Sequence, residues 1–183
     1  MRKLILFNMV TLDGFIAGPD GDIGWHNVGE EFNEYAIKQL DEAGGLLFGR
    51  VTYDLMTTYW PTQEAIRNDP EVANRMNQLP KVVFSRKMEK AGWQNTRLVK
   101  VNPADEVKKL KQQPGQDLFL FGSANLAAPL IQNDLIDEFR LMVNPVVLGS
   151  GIPEFQQPLQ LKLLRTRPFQ NGNVLLVYGL TRQ

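Results

Sequence analysis

The sequence predicts an α/β fold in three layers, with flanking helices on a mostly parallel central sheet that finishes in an antiparallel C-terminal hairpin. Three observations carry this expectation. Short apolar runs alternate with helical patterns along most of the 183 residues. Two of those runs end on a glycine just before a helix: Leu46-Leu47-Phe48-Gly49-Arg50-Val51-Thr52 and Leu118-Phe119-Leu120-Phe121-Gly122-Ser123-Ala124-Asn125-Leu126. Near the end, Leu159 to Thr166 and Val174 to Thr181 flank Asn171-Gly172-Asn173, a hairpin turn signal.

Lys3 to Val10 is apolar on both faces, as a central strand covered by helices must be. Glu31 to Ala43 follows as a helix, because Phe32, Ala36, Leu40 and Ala43 form one stripe. Gly44-Gly45 is expected to stop it before a strand ending at Phe48. Val51 to Tyr59 reads as a helix closed by Trp60-Pro61, and polar Thr62 to Pro80 as one short helix after Pro70. Lys81 to Ser85 is a strand. Asn102-Pro103-Ala104-Asp105-Glu106 is a helix start with cap, first-turn proline and acids on the positive dipole end, and Pro114-Gly115 ends that helix. Asp117 to Phe121 is a strand feeding a helix to about Asn133, and Glu138 to Val143 is another strand. Pro145, Gly149 and Gly151 mark a loop. Without a repeat or linker, residues 1–183 are expected to form one domain.

Composition removes several function classes. Twenty Lys and Arg balance twenty Asp and Glu, so no general basic field is available for nucleic acid or an anionic membrane. No cysteine means no thiolate nucleophile and no cysteine metal site, and His26 as sole histidine argues against a histidine metal cluster or a Ser-His-Asp relay. The apolar start breaks at Asn8, which favours a buried strand over a signal peptide, and no run is long enough to span a membrane. The expectation is a cytoplasmic globular protein.

A helix N-terminus beside a glycine presents unpaired N–H groups and a positive dipole end. Two matching junctions therefore suggest a ligand with more than one phosphate, such as a dinucleotide, although the Rossmann G-x-G-x-x-G fingerprint is missing from both. At the first, Arg50 and the Thr52 hydroxyl could meet phosphate oxygens; the plainer reading is a turn glycine, a solvated charge and a helix cap. At the second, Gly122-Ser123-Ala124-Asn125 packs small residues where a backbone could approach a ligand, or simply makes a tight turn. Ser85-Arg86-Lys87 ends a strand with a hydroxyl and paired cations, suited to a phosphomonoester or to a solvated turn. Asp13, in Thr11-Leu12-Asp13-Gly14, belongs to a turn that would overlook a cleft. Glu30 lies opposite the apolar stripe of its helix and reads first as an acid on the positive helix end, facing a cleft or water.

In this order the pieces resemble the dihydrofolate reductase-like superfamily. Within it they are most similar to the reductase domain of the bifunctional riboflavin-biosynthesis deaminase–reductase and its stand-alone relatives. The likeness spans nearly the whole chain. It rests on Thr11 to Ala17, Phe48 to Tyr53, Val83 to Arg86, Phe121 to Leu126 and Asn144 to Gly151. It implies NADPH as cofactor, with Gly49, Arg50 and Thr52 on the pyrophosphate and adenosine side and Ser85 with Arg86 at the 2′-phosphate. Gly122, Ser123, Ala124, Asn125 and Leu126 would form the pyrophosphate loop, and Ile16 with Ala17 would flank the nicotinamide. Trp25 and Glu30 match a tryptophan and a substrate-binding acid, and Glu30 or Asp13 would assist protonation. A homodimer is implied as well, with the apolar hairpin as an edge to be covered. Gly122-Ser123 replaces the usual glycine pair and no Leu-Pro precedes Glu30, which points away from folate. The zinc ligands of the deaminase half are missing, so the expectation is a reductase half alone, acting on a pterin-like or aminopyrimidine-like heterocycle. A non-catalytic NADPH-binding module and a true dihydrofolate reductase are the alternatives.

Overall fold

A computed structural model describes residues 1–181. In chain order its elements are β1 (Leu4–Thr11), β2 (Phe15–Ala17), α1 (Glu30–Asp41), β3 (Ala43–Gly49), α2 (Arg50–Thr57), α3 (Gln63–Asn68), α4 (Pro70–Gln78) and β4 (Lys81–Phe84). There follow β5 (Thr96–Val99), α5 (Pro103–Gln112), β6 (Asp117–Phe121), α6 (Ala124–Gln132), β7 (Glu138–Asn144), β8 (Ile152–Pro153), β9 (Leu161–Pro168) and β10 (Val174–Leu180). Eight strands form one sheet in the order β5-β4-β3-β6-β1-β7-β10-β9, and β2 pairs with β8 in a second small ladder. All pairings from β5 across to β7 are parallel, whereas β10 runs antiparallel to both its neighbours.

Alternation along the central strands divides the core between two faces. Leu4 and Leu6 of β1, Leu118 and Leu120 of β6 and Leu47 of β3 pack with Val107 and Leu110 of α5 and Leu126 and Leu130 of α6. Ile5, Phe119, Phe121, Leu46 and Phe48 face the other way, onto Leu40 of α1, Tyr53 of α2 and Val72 and Met76 of α4. The helix start at Asn102 forms as its residue types require: the Asn102 side chain accepts the Ala104 N–H at 2.9 Å and Pro103 occupies the first turn. No helix among the described residues is long and apolar enough to cross a membrane.

Several expectations shift. The first helix spans Glu30–Asp41 rather than Glu31 to Ala43, and Ala43-Gly44-Gly45 joins β3, because pairing of Ala43 and Gly45 with Asp117 and Leu118 of β6 outweighs a local glycine stop. The polar stretch before Pro80 holds two helices instead of one; Thr62 accepts the Ala65 N–H and starts α3 before the proline-led α4. Strand β5 was not anticipated. It gains its order from parallel pairing with β4 rather than from an apolar run. The two- and three-residue strands β8 and β2 exist only by pairing with each other. The hairpin is present, with its first strand shifted to Leu161–Pro168.

Candidate functional site

Parallel pairing brings the C-terminal ends of β1, β3, β4, β6 and β7 to one edge of the sheet. The chain leaves β3 for β4 on one side and leaves β6 for β7 on the other, with α2 and α6 on opposite faces. Adjacent strands whose connections diverge in this way open a crevice at their carboxyl ends, where α/β sheets bind ligands. The register pairs Leu47 with Leu120, so Gly49 and Gly122 form the two lips of that crevice.

The two glycines make room for each other's loops. A Cβ on Gly49 would lie 2.8 Å from Ser123 Cβ and closer still to its Oγ. A Cβ on Gly122 would lie 2.6 Å from Thr52 Oγ1. Each glycine thus makes room for a polar side chain at the start of the opposite helix, the N-cap Ser123 of α6 and Thr52 in the first turn of α2, and the two helices start side by side. Gly122 and Ser123 are both left-handed, with φ of 68° and 58°, a conformation that costs a non-glycine residue roughly 1–2 kcal/mol. Helix α2 has no side-chain cap. In α6, Ser123 Oγ accepts the Leu126 N–H at 3.3 Å, and the N–H groups of Ala124 and Asn125, in the first turn, have no intrahelical acceptor.

The Gly122 N–H is already engaged. It donates to Asn8 Oδ1 at 2.7 Å, and Asn8 Nδ2 donates to Glu154 Oε2 at 2.6 Å. Glu154 is 3% exposed and its Oε1 has no partner. Burial pushes its carboxyl up to about 7, partly offset by the Asn8 bond.

On the outer side of the crevice, Arg50 is exposed and pairs with Asp54 at 3.0 Å. Ser85 and Arg86 follow β4; Ser85 Oγ accepts the N–H groups of Lys87 and Met88 at 3.2 and 3.0 Å, so it shapes the turn. Arg86 is exposed and has no ion-pair partner among the described residues. A surface cavity of about 680 Å³ opens beside this region, lined in part by Tyr53, Asp54, Thr57, Met88 and Lys90. A second, of about 740 Å³, lies at the opposite edge by Gly44, Pro80 and Gln113.

The remaining predicted residues gather on the β1–β7 side. Asp13 accepts the Thr11 hydroxyl at 2.7 Å and the Gly149 N–H at 2.8 Å, and also receives the Leu148 N–H. These bonds, the Thr11 hydroxyl foremost, hold its carboxyl below the ordinary value, so Asp13 is an anion that fastens the 145–151 loop. Ile16 and Ala17 lie in β2, with Ala17 opposite Ile152. Trp25 is half-buried against the Met9, Tyr35 and Phe169 cluster, and its Nε1 donates to the Asp22 carbonyl at 3.2 Å. Beside it, burial pulls His26 down to about 4. Glu30 opens α1 and is exposed, while its neighbour Glu31 takes the Gln170 N–H at 2.8 Å and Arg167 at 3.1 Å.

Asn8 and Glu154, and Gln156, whose Nε2 donates to Asn125 Oδ1 at 3.1 Å, are neighbours of the second junction that sequence reasoning passed over. Asn8 interrupts an otherwise apolar strand, and that break was the available signal. Glu154 lies in a Gly/Pro-rich loop and has no local signature.

With the geometry in place, similarity to known proteins is informative. The RibD C-terminal domain family matches residues 2–175. YyaP, an uncharacterized protein of Bacillus subtilis (strain 168), is 38% identical over 182 residues, covering 97% of this chain and 94% of its own. A pyrimidine reductase-like protein from Corynebacterium diphtheriae superposes with a TM-score of 0.69 at 12% identity, over 100% of this chain and 93% of its own. The diaminohydroxyphosphoribosylaminopyrimidine deaminase/5-amino-6-(5-phosphoribosylamino)uracil reductase of Thermotoga maritima gives a TM-score of 0.68 at 15% identity, over 98% of this chain and 57% of that one. At these identities the structural likeness establishes the fold, which is dihydrofolate reductase-like.

Proposed function

Because this chain belongs to the RibD C-terminal domain family, we propose that it is an NADPH-dependent reductase that transfers a hydride to a small pterin-like or aminopyrimidine-like heterocycle. One observation carries the reading. The N-termini of α2 and α6 meet at the switch point of the sheet, each glycine packed on the other junction, and α2 starts without a side-chain cap. A pyrophosphate bridging two dipole ends is the ligand that this arrangement suits. The Ala124 and Asn125 N–H groups would hold it from one side and Arg50 and Thr52 from the other. Ser85 and Arg86, at the next strand end, would take a 2′-phosphate.

NADPH supplies the hydride when bound, and the protein supplies position. Ile16 and Ala17 would flank the reactive ring, Trp25 would cover the substrate, and exposed Glu30 would orient its polar edge or lend it a proton. Asp13, fixed as a loop anchor, contributes order to that wall rather than a proton. The setting would be the cytoplasm. The outer edge of β9 carries half-exposed Leu163 and Leu164, an apolar strand edge that supports a homodimer. Sedimentation of a stable monomer at micromolar concentration would remove the dimer.

Calorimetric titration tests the cofactor. NADPH should bind at least about tenfold more tightly than NADH, a difference of about 1.4 kcal/mol. Replacing both Ser85 and Arg86 by alanine should erase that preference while leaving NADH affinity intact. Equal affinities in the wild-type protein would overturn the 2′-phosphate assignment. Turnover of dihydrofolate that is lost in Glu30→Gln would move the substrate to folate.

A further inference from the structure

The segment after β8 crosses the second junction as a strap. The Glu154 N–H donates to the Gly14 carbonyl at 3.0 Å, the Phe155 ring lies 6.1 Å from that of Phe139, and Gln156 Nε2 donates to Asn125 Oδ1 at 3.1 Å. The strap is thereby tied to the β1–β2 turn, to the sheet and to the first turn of α6. Beneath it Glu154 reaches Asn8, and Asn8 reaches Gly122. The Asn8 amide has one workable orientation. The Gly122 N–H demands an acceptor, so the amide oxygen faces Gly122 and the NH₂ faces Glu154.

Among the described residues, no positive charge compensates an ionised Glu154. Strands β1, β2 and β8 and helix α6 contain no charged residue, and Asp117, the one acid of β6, lies at its far end; in β7, Arg140 lies over Phe119 on the other face of the sheet and is paired with Glu138 and Glu42. Residues 155–160 add none. Asp13, in the β1–β2 turn, is a like charge and is committed to Thr11, Leu148 and Gly149. A carboxylate here would be buried and unpaired, which is costly. With Oε2 accepting from Asn8, the proton belongs on Oε1, the oxygen without a partner.

We propose that Glu154 is a positioning residue for anion binding at the second junction: as the neutral acid, acting through Asn8, it holds Gly122 in place beside a bound pyrophosphate, and binding draws a proton from solvent onto it. The proposal rests on the assignment of the cofactor pyrophosphate to that junction. A phosphate and a carboxylate separated by one asparagine side chain repel each other in a water-poor setting, so each disfavours the other. Linkage then requires that the ligand bind more weakly as Glu154 ionises.

The test uses the full chain, wild type and Glu154→Gln, titrated calorimetrically with NADPH from about pH 5.5 to about pH 8.5 in buffers of different ionisation enthalpy. Glutamine keeps an acceptor for Asn8 and removes only the titration. Wild type should take up part of a proton on binding near pH 7, and its affinity should fall by up to about tenfold per pH unit above that, relative to the variant. The phosphate ionisation of NADPH is common to both proteins and cancels in the comparison. Parallel pH profiles overturn the proposal and leave the cofactor assignment standing, and so does a wild-type protein that takes up no proton, even if the variant fails to fold. Inorganic pyrophosphate, titrated in the same way, needs only the junction. Its proton-linked binding without NADPH binding would uphold the proposal and refute the cofactor. Binding of neither ligand refutes both.

Discussion

The two glycine junctions look alike in sequence and differ in almost every physical respect. Gly49 has an ordinary extended backbone (φ −76°) and opens a helix whose first residues, Arg50 and Val51, are exposed. Gly122 is left-handed, precedes a left-handed Ser123, surrenders its N–H to a buried asparagine and lies under a strap that carries a buried acid. One is an open, charged lip; the other is a strained and enclosed one. In the proposed cofactor site the two helix ends would therefore have opposite sensitivities: the first to salt, the second to packing and pH.

Substitution of the glycines should expose this difference most strongly. Gly122→Ala incurs both the left-handed penalty and a Cβ at 2.6 Å from Thr52 Oγ1, together about 3 kcal/mol. Gly49→Ala meets Ser123 without any backbone strain and should cost about 1–2 kcal/mol. Thermal unfolding should rank them in that order. Adding Thr52→Ala to Gly122→Ala should recover the steric part and leave about 1 kcal/mol of backbone strain. Equal losses at both glycines would mean that the junctions are equivalent after all.

Next in size is the pH dependence of stability. In the folded protein Glu154 holds its proton up to about 7, against an ordinary value of 4.5. Between those values the folded state binds a proton that the unfolded chain has released, so wild-type stability falls as pH rises through the window. The slope is at most about 1.4 kcal/mol per pH unit and vanishes outside it. Glu154→Gln should remove that slope, and Arg50→Ala at the other junction should keep it. Chemical denaturation at a series of pH values decides between them, and a wild-type curve that superposes on the Glu154→Gln curve would strip the second junction of its pH sensitivity.

What the sequence disclosed follows the same division. The parallel core was legible because β1, β3 and β6 are runs of Leu, Ile and Phe covered on both faces. The helix at Asn102 was legible because its cap and proline act locally. Strands β2, β5 and β8 were not, since partners distant in sequence give them their order. At the site, Gly49 and Gly122 were visible as punctuation, but their contact is tertiary and no spacing encodes it. Asn8 and Glu154 lie 146 residues apart; each reads alone as an isolated polar residue, and only the crossing of the strap over β1 makes them a pair.

The smallest expected effect belongs to the open lip. Arg50 and Asp54 form an exposed pair one helical turn apart, worth about 0.3–0.5 kcal/mol at most, so Arg50→Ala should barely move the unfolding midpoint. Its influence should appear in binding. An exposed guanidinium that exchanges Asp54 for a phosphate would contribute roughly 1 kcal/mol, a loss of about fivefold in NADPH affinity when removed, and one that shrinks at high salt. Asp54→Ala should act in the opposite sense, since it releases Arg50 from its competitor, and should tighten binding by about twofold. Neither change should alter the pH profile of binding, because among the described residues no buried acid is hydrogen-bonded to the first junction as Glu154 is, through Asn8, to the second. Should Arg50→Ala steepen or flatten that profile, the two lips share one electrostatic field, and the contrast between them would be one of degree.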